Sequence, residues 1–229
     1  VVESLKHGSF ENNVKVNVKF IDSETITKES AKNILKDIDG IVVPGGFGNR
    51  GIEGKIQAIK YVRENNIPFL GICLGMQMAV VEFARDVLGI QKANSAEFDE
   101  ICEDPVIHIM EEQMGITRKG GTMRLGAYPC VIKKNTLANK LYHAENISER
   151  HRHRYEYNNA YKDRLEEAGL ICSGTSPDGT LVEIVEIPTH PFFIAGQFHP
   201  EFKSRPDRPH PLFAGLVKAA KTKKENENK

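Results

Sequence analysis

The sequence predicts an α/β protein with an open, mostly parallel central sheet, helices on both faces of that sheet, and a small antiparallel β extension. Two short runs, 41–43 and 67–72, are almost entirely apolar, and each is followed by apolar residues at helical spacing. Strands that are apolar along their whole length are typical of parallel sheets buried on both faces. The alternation of strand and helix also favours a parallel sheet, because parallel neighbours need a crossover between them.

The first half of the chain supplies these elements in order. A helix is expected at the start, an alternating strand follows, and strand–helix pairs complete the half. The expected helices cover 1–7, 28–37, 52–65 and 75–88, and the expected strands cover 14–20, 41–43 and 67–72.

The second half is more polar and contains several turn signals. Residues 100–124 are predicted to form an exposed, mobile connection, and the Ser-Pro-Asp-Gly-Thr sequence at 176–180 predicts the turn of a hairpin. The other expected elements are strands at 128–133, 170–174, 181–187 and 193–198, and helices at 162–168 and 212–221.

One domain is expected to cover residues 1–221, with its first strand missing, and a charged, disordered tail is expected at 222–229. The 229 residues include 31 basic and 31 acidic side chains, a balance that argues against a nucleic-acid-binding protein. No apolar run reaches the ~20 residues that span a bilayer. The four cysteines form no CxxC pair and the histidines form no metal-spaced cluster, so we expect a reduced, cytoplasmic protein that binds no metal.

The sequence Gly71-Ile72-Cys73-Leu74-Gly75 places a cysteine between a predicted strand and a predicted helix. Glycines on both sides permit the crowded turn that pushes a nucleophile outward. The N-terminus of the following helix is expected to favour the thiolate. A cysteine at such a position can equally be a small core residue.

Two further motifs also follow apolar strands. His199-Pro200-Glu201 can supply a general base and a carboxylate that orients it, although a surface turn explains the three residues equally well. The glycines of Pro44-Gly45-Gly46 can direct N–H groups at an oxyanion or a phosphate, or simply form a tight turn. A phosphate-binding P-loop is not indicated, because the GxxxxGK[ST] spacing is missing.

Together, the PGG loop, the GICLG elbow and the HPE sequence resemble the class I (triad) glutamine amidotransferases. Five further segments resemble one branch of that family, in which the amidotransferase domain supplies ammonia to an ATP-dependent synthetase that aminates UTP. These segments are 75–77, 82–85, 94–98, 121–126 and 150–156.

The resemblance implies that Cys73 attacks the amide carbon of L-glutamine, that His199 transfers protons and that Glu201 orients His199. It implies an oxyanion site at Gly46 and Leu74. The residues that it implies for glutamine binding are Gly46, Phe47, Leu74, Gly75, Met76, Gln77, Glu97, Arg154 and Tyr155.

The resemblance also implies partners. The synthetase domain of the same polypeptide would use the ammonia, and the full-length enzyme would be a homotetramer that needs ATP and Mg²⁺ and is activated by GTP. No cofactor is expected in this chain itself, and no nucleic-acid or membrane partner. Residues 103–124 would be a lid or communication element.

Two alternative functions remain at this point. The first is a triad amidotransferase of another biosynthetic pathway, and the second is a non-enzymatic interaction module that retains the triad. The Arg-His-Arg-His-Arg run at 150–154 also permits a nucleic-acid or phosphate site, but no aromatic stacking platform accompanies it.

Overall fold

The computed structural model describes residues 1–109 and 123–227, which fold into two sheets flanked by helices. The helices are α1 (Val2–Glu11), α2 (Ala31–Leu35), α3 (Ile52–Glu64), α4 (Leu74–Asp86), α5 (Leu137–Tyr142), α6 (Lys162–Glu167) and α7 (Pro211–Glu227). The strands are β1 (Ile41–Val43), β2 (Phe69–Ile72), β3 (Ala93–Ser95), β4 (Asp104–Ile109), β5 (Arg124–Ile132), β6 (Asn146–His153), β7 (Tyr155–Tyr157), β8 (Ile171–Thr175), β9 (Val182–Glu186) and β10 (Phe193–Gly196).

The large sheet has the strand order β1-β2-β10-β9-β8-β5-β6. Strands β1, β2 and β10 run parallel, and β9, β8, β5 and β6 continue the sheet in antiparallel fashion. The predicted α/β class with helices on both faces is therefore confirmed. The antiparallel part contributes four strands and is larger than the small extension we expected, because the hairpin at 171–186 joins the edge of β10 directly.

Helices cover both faces of the parallel strands, as the apolar runs predicted. Phe69 and Phe193 face one side, where their rings stack 4.4 Å apart and contact the apolar residues of α3 and α4. Leu70 and Ile194 face the other side and pack with apolar residues of α7. Because successive residues of a strand point to opposite faces, each face of β2 needs its own helical cover.

The small sheet has the order β3-β4-β7 and lies beside α4. Its strand β7 follows β6 of the large sheet after a single residue, Arg154. The chain therefore passes from one sheet to the other at this arginine.

Three expectations about secondary structure need correction. Residues 14–20 form no strand, because the segment pairs with no neighbouring strand of the described residues. The alternation itself is present: Val14, Val16 and Val18 are half-buried, and the residues between them are exposed. Residues 104–109 belong to β4, with two apolar side chains buried, and not to an exposed connection. Of the rest of that predicted connection, residues 100–103 are mostly exposed and lie in no helix or strand, Arg124 is buried at the start of β5, and residues 110–122 lie outside the described part of the chain.

The last helix, expected over 212–221, extends to Glu227. Residues 222–227 are therefore helical and not a disordered tail, and residues 228–229 lie outside the described part of the chain. Ion pairs between Lys223 and Glu227 (2.6 Å) and between Lys224 and Asp39 (3.1 Å) neutralise charges of this last stretch. The length of this helix could not be predicted from the sequence, because a charged surface helix and a charged disordered tail have similar compositions.

Candidate active site

Cys73 lies at a sharp turn between β2 and α4. Its backbone has φ 52° and ψ −103°, a conformation that a residue with a side chain rarely adopts. Gly75 makes the turn possible, because a Cβ atom there would stand 2.0 Å from the carbonyl oxygen of Val43. The N–H of Cys73 donates to the carbonyl of Gly196 at 2.8 Å. The predicted nucleophile elbow is confirmed in its geometry, and its strain is typical of functional positions.

The thiol of Cys73 is almost fully buried, with 3% of the residue exposed. Burial raises the pKa of this thiol to about 12, and the backbone N–H of Leu74 at the start of α4 lowers it by a smaller amount. The helix N-terminus thus acts in the expected direction, but it does not produce a resting thiolate, because desolvation of the charged form is the larger effect. Cys73 needs a base to become a nucleophile.

His199 and Glu201 form a hydrogen-bonded pair just beyond β10. The Nδ1 atom of His199 lies 2.8 Å from Oε1 of Glu201, and the ring's Nε2 atom is buried and makes no hydrogen bond within the described residues. The carboxylate accepts, so Nδ1 carries the proton and Nε2 keeps its lone pair. This is the arrangement of a general base that a carboxylate orients.

The imidazole of His199 and the side chain of Cys73 meet at Gly45, in the glycine loop after β1. A methyl group added to Gly45 would stand 2.8 Å from Cε1 of His199 and 3.5 Å from Cβ of Cys73. The fold therefore brings the ends of β1, β2 and β10 to one place. Sites of open α/β sheets gather at the carboxyl ends of parallel strands for this reason.

A narrow cavity opens beside Cys73. It has a volume of about 40 Å³, which is room for roughly one water molecule. Its walls are Gly46, Phe47, Cys73, Leu74, Gln77, Glu97, His153, Arg154 and Tyr155. An amino-acid substrate requires these walls to move apart, and Phe47, with 58% of its surface exposed, is the most exposed of the wall residues.

Polar groups of both signs face this cavity. The Nε atom of Arg154 is buried without a hydrogen bond in the described residues. Burial raises the pKa of Glu97, whereas the N–H of Gly48 and the charge of Arg154 lower it. One cation and one anion in a small cavity complement the carboxylate and the ammonium group of a free amino acid.

Gln77 is a buried member of the same wall. Its amide nitrogen donates to the carbonyl of Tyr155 at 3.1 Å and to Oε1 of Gln197 at 3.3 Å. Both hydrogens of the amide are thereby used, and its carbonyl oxygen remains to accept a hydrogen bond from a ligand.

The structure thus gathers most of the predicted residues around Cys73. Gly75 and Met76 lie outside the cavity lining: Gly75 packs its backbone on Val43, and Met76 is fully buried in the core. Their part in substrate binding stays a prediction.

Two residues near the thiol were not predicted. Gln197 places its amide nitrogen 3.7 Å from Sγ of Cys73, and His153 lines the cavity. Gln197 is a polar residue inside an apolar strand run, which is the signal that could have identified it.

A buried cysteine at a strained elbow, a carboxylate-bound histidine and a small cavity with charges of both signs define a cysteine hydrolase or transferase for a zwitterionic substrate. Within residues 1–109 and 123–227, no group of three His, Cys, Asp or Glu side chains could hold a metal ion. The same part of the chain has no helix with the length and apolar character needed to cross a membrane.

Comparison with known proteins agrees with this class. The chain belongs to the class-I glutamine amidotransferase family, whose model matches residues 1–219, and within that family it groups with the glutaminase domains of CTP synthase. CTP synthase of Clostridium acetobutylicum is 61% identical over 98% of the chain, and CTP synthase of Fibrobacter succinogenes is 59% identical over 100% of it. The chain spans about two fifths of these relatives, 42% and 41% of their lengths.

Solved structures give the same assignment. The glutaminase domain of Trypanosoma brucei CTP synthase, with bound acivicin, has a TM-score of 0.91 and 40% identity, over 96% of this chain and 86% of that one. A glutamine amidotransferase from Thermotoga maritima has a TM-score of 0.56 at 14% identity, over 94% of this chain and 89% of that one. The second match shows the shared fold alone. The alternative of an amidotransferase from another pathway is therefore not favoured.

Proposed function

We propose that this chain hydrolyses L-glutamine to glutamate and ammonia through a thioester on Cys73. The observation that carries the proposal is the His199–Glu201 pair: its Nε2 atom makes no hydrogen bond within the described residues, and its ring and the side chain of Cys73 lie against the same glycine, Gly45. The relatives contribute the substrate: they are CTP synthases, and one solved relative is a glutaminase domain.

In the first half of the reaction, Nε2 of His199 takes the thiol proton while Sγ of Cys73 attacks the amide carbon of glutamine. The resulting oxyanion is held by the backbone N–H groups of Gly46 and Leu74. When the C–N bond breaks, His199 returns the proton to the nitrogen, and ammonia leaves.

In the second half, His199 removes a proton from a water molecule, which attacks the glutamyl thioester. The C–S bond breaks, glutamate leaves and the thiol is restored. Glu201 stabilises the imidazolium form of His199 in both halves. The raised pKa of Cys73 keeps the resting thiol protonated, so the thiol gives its proton to His199 only as Sγ attacks the amide carbon.

Glutamine itself is held by the groups that the resemblance indicated. Arg154 pairs with the α-carboxylate, and Glu97 and the amide oxygen of Gln77 accept from the α-ammonium group. The burial of Arg154 Nε without a partner in the described residues and the hydrogen bonds of Gln77 support these roles.

The ammonia is used by a synthetase domain of the same polypeptide, which aminates UTP to CTP with ATP and Mg²⁺ and responds to GTP. We place this activity, a homotetrameric assembly and a cytoplasmic location on the full-length protein. The identity with CTP synthases that are more than twice as long supports the synthetase partner.

Glutamate release from L-glutamine tests the proposal. Cys73→Ala abolishes it, whereas Cys102→Ala, which removes a half-buried thiol elsewhere, leaves it unchanged. An electrophilic glutamine analogue labels Cys73 alone, as mass spectrometry of digested protein detects. Undiminished glutamate release by Cys73→Ala would overturn the proposal.

A further inference from the structure

The chain passes from the large sheet to the small sheet at a single residue of the cavity wall. His153 ends β6, where it pairs with Arg124 of β5, and Tyr155 begins β7, where it pairs with Ile109 of β4. Arg154 stands between them. Interactions that hold the backbone of His153 and Tyr155 therefore also help to position Arg154, whose side chain lines the cavity.

A chain of buried hydrogen bonds holds this crossing between the two sheets. Nδ1 of His153 lies 3.1 Å from the carbonyl oxygen of Tyr155, and Nε2 of His153 lies 2.8 Å from Nδ1 of His151. A carbonyl only accepts, so His153 carries its proton on Nδ1. Burial lowers the pKa of His153 to about 3 and that of His151 to about 2, so both rings are neutral and hold one proton each.

The direction of this chain follows from that count of protons. Nε2 of His153 accepts, so Nδ1 of His151 donates, and Nε2 of His151 is left with a lone pair. That atom lies 3.4 Å from Oε2 of Glu183, and both atoms are buried with no hydrogen bond in the described residues. Two acceptors at this distance repel each other unless a proton lies between them.

The surrounding charges favour a protonated carboxyl group at this place. Burial raises the pKa of both Glu156 and Glu183, while Arg124, the cation between them, lowers both. One arginine balances one carboxylate, so the other stays protonated at neutral pH.

The donors around the two carboxyl groups decide which one holds the proton. Oε1 of Glu156 faces two donors, Arg124 at 3.3 Å and Nδ1 of His153 at 3.4 Å, while its Oε2 is buried without a hydrogen bond in the described residues. Oε1 of Glu183 accepts from Arg124 at 2.8 Å, whereas its Oε2 faces the lone pair of His151. A proton on Oε2 of Glu183 removes the repulsion with the lone pair of His151, so the proton is assigned to Glu183.

We propose that Glu183 and His151 share a buried proton, and that through His153 this pair positions the glutamine-binding crossing at Arg154. Glu183 and His151 are positioning residues; neither lines the cavity. This inference rests on the proposed glutaminase function and adds to it a proton whose presence the glutamine site requires.

The titratable and charged groups near this proton come from every element packed against it. They are Arg124 and Cys130 on β5, His153 on β6, Glu156 on β7, and the catalytic His199.

Two variants separate a shared proton from simple packing. In Glu183→Gln, the amide N–H takes the place of the carboxyl proton and the amide oxygen still accepts from Arg124, so KM for glutamine stays within about twofold of the unaltered enzyme. In His151→Phe, the ring is kept but both nitrogens are lost, so KM rises by about tenfold or more, with a smaller change in kcat. Both are measured on the polypeptide that includes the synthetase portion. Its CTP formation from added ammonia is the control for folding.

The pH dependence is the decisive readout. As pH rises, the carboxyl proton of Glu183 dissociates, its Oε2 then repels the lone pair of His151, and KM of the unaltered enzyme rises. The amide of Glu183→Gln does not titrate. The ratio of its KM to that of the unaltered enzyme therefore falls by about fivefold or more as the pH is raised from neutrality, and ionisation of the substrate cancels in that ratio. A constant ratio overturns the proposal, even if His151→Phe does not fold.

A spectroscopic measurement tests the relay, which is the hydrogen-bond chain from Glu183 through His151 to His153, without relying on activity. Nitrogen-15 NMR of labelled histidine shows His151 and His153 both neutral and both protonated on Nδ1, the less common tautomer of free imidazole. A proton on Nε2 of His153 or an N–H on both nitrogens of His151 overturns the relay. A chain that shows these tautomers but releases no glutamate would instead overturn the proposed function.

Discussion

Oε1 of Glu201 lies 2.8 Å from Nδ1 of His199, and the opposite ring nitrogen is buried without a hydrogen bond in the described part of the chain. One carboxylate thus fixes both the tautomer and the orientation of the base. We expect Glu201→Gln to lower kcat for glutamine hydrolysis by roughly 10²-fold, because the imidazolium formed in the reaction loses its counter-charge. KM stays within about threefold.

Glu103→Gln is the matched control for this change, because Glu103 is an exposed carboxylate paired with Lys92 on the surface. Steady-state kinetics of glutamine hydrolysis by the two variants give the kcat and KM values to be compared. If Glu201→Gln retains more than about half of the kcat, the carboxylate does not orient the base in the way that the geometry indicates.

The elbow at Cys73 predicts an unusual sensitivity at Gly75. A Cβ atom at this position would stand 2.0 Å from the carbonyl oxygen of Val43, so Gly75→Ala forces α4 away from β1. We expect the free energy of unfolding to fall by about 3 kcal/mol and glutamate release to be lost. At Gly179, with φ +75° and nothing within 4 Å of an added Cβ, alanine is expected to cost only about 1 kcal/mol. Denaturant titration compares the two, and an equal loss at both sites would contradict the crowding argument.

Burial sets the reactivity of the resting thiol. Because burial raises the pKa of Cys73 to about 12, the thiolate fraction still increases with pH well above neutrality. The rate of Cys73 alkylation by iodoacetamide is therefore expected to rise about tenfold per pH unit between about pH 8 and pH 10. Cys73→Ser corrects for the other three thiols. A plateau below about pH 8 would instead show a preformed thiolate.

Local sequence patterns identified the parallel strands and the elbow because the physics of those features is local. A run such as 69–72 is apolar because both faces are buried, and the glycines at 71 and 75 accompany a turn that admits little else. The alternation at 14–20 was misleading, since a strand also needs a partner, and the partner is set by tertiary structure. The relay of Arg124, Glu183 and His151 could not be predicted either, because three strands distant in sequence supply it.

Phe202 predicts a second determinant of the histidine's position. Its ring stacks on that of His199, with centroids 5.3 Å apart and planes 27° from parallel, although 57% of its surface is exposed. An aromatic face also stabilises a cation above it. We expect Phe202→Leu to lower kcat by about fivefold, Phe202→Tyr to restore it, and Phe20→Leu, at another exposed phenylalanine, to have no effect. Equal kcat values for the leucine and tyrosine variants would contradict a role for stacking.

Arg154 predicts a change in substrate affinity that depends on shape as well as charge. Its Nε is buried without a partner among the described residues, at the crossing between the two sheets, so its planar group can hold a carboxylate through two parallel hydrogen bonds. Lysine keeps the charge but lacks the fork. We expect Arg154→Lys to raise KM for glutamine by about tenfold or more, with kcat within about threefold, because the carboxylate is held equally in the ground state and the transition state. Arg164→Lys, at an exposed arginine of α6, is the matched control. A fall in kcat at unchanged KM would show that Arg154 acts on the reacting amide and not on the carboxylate.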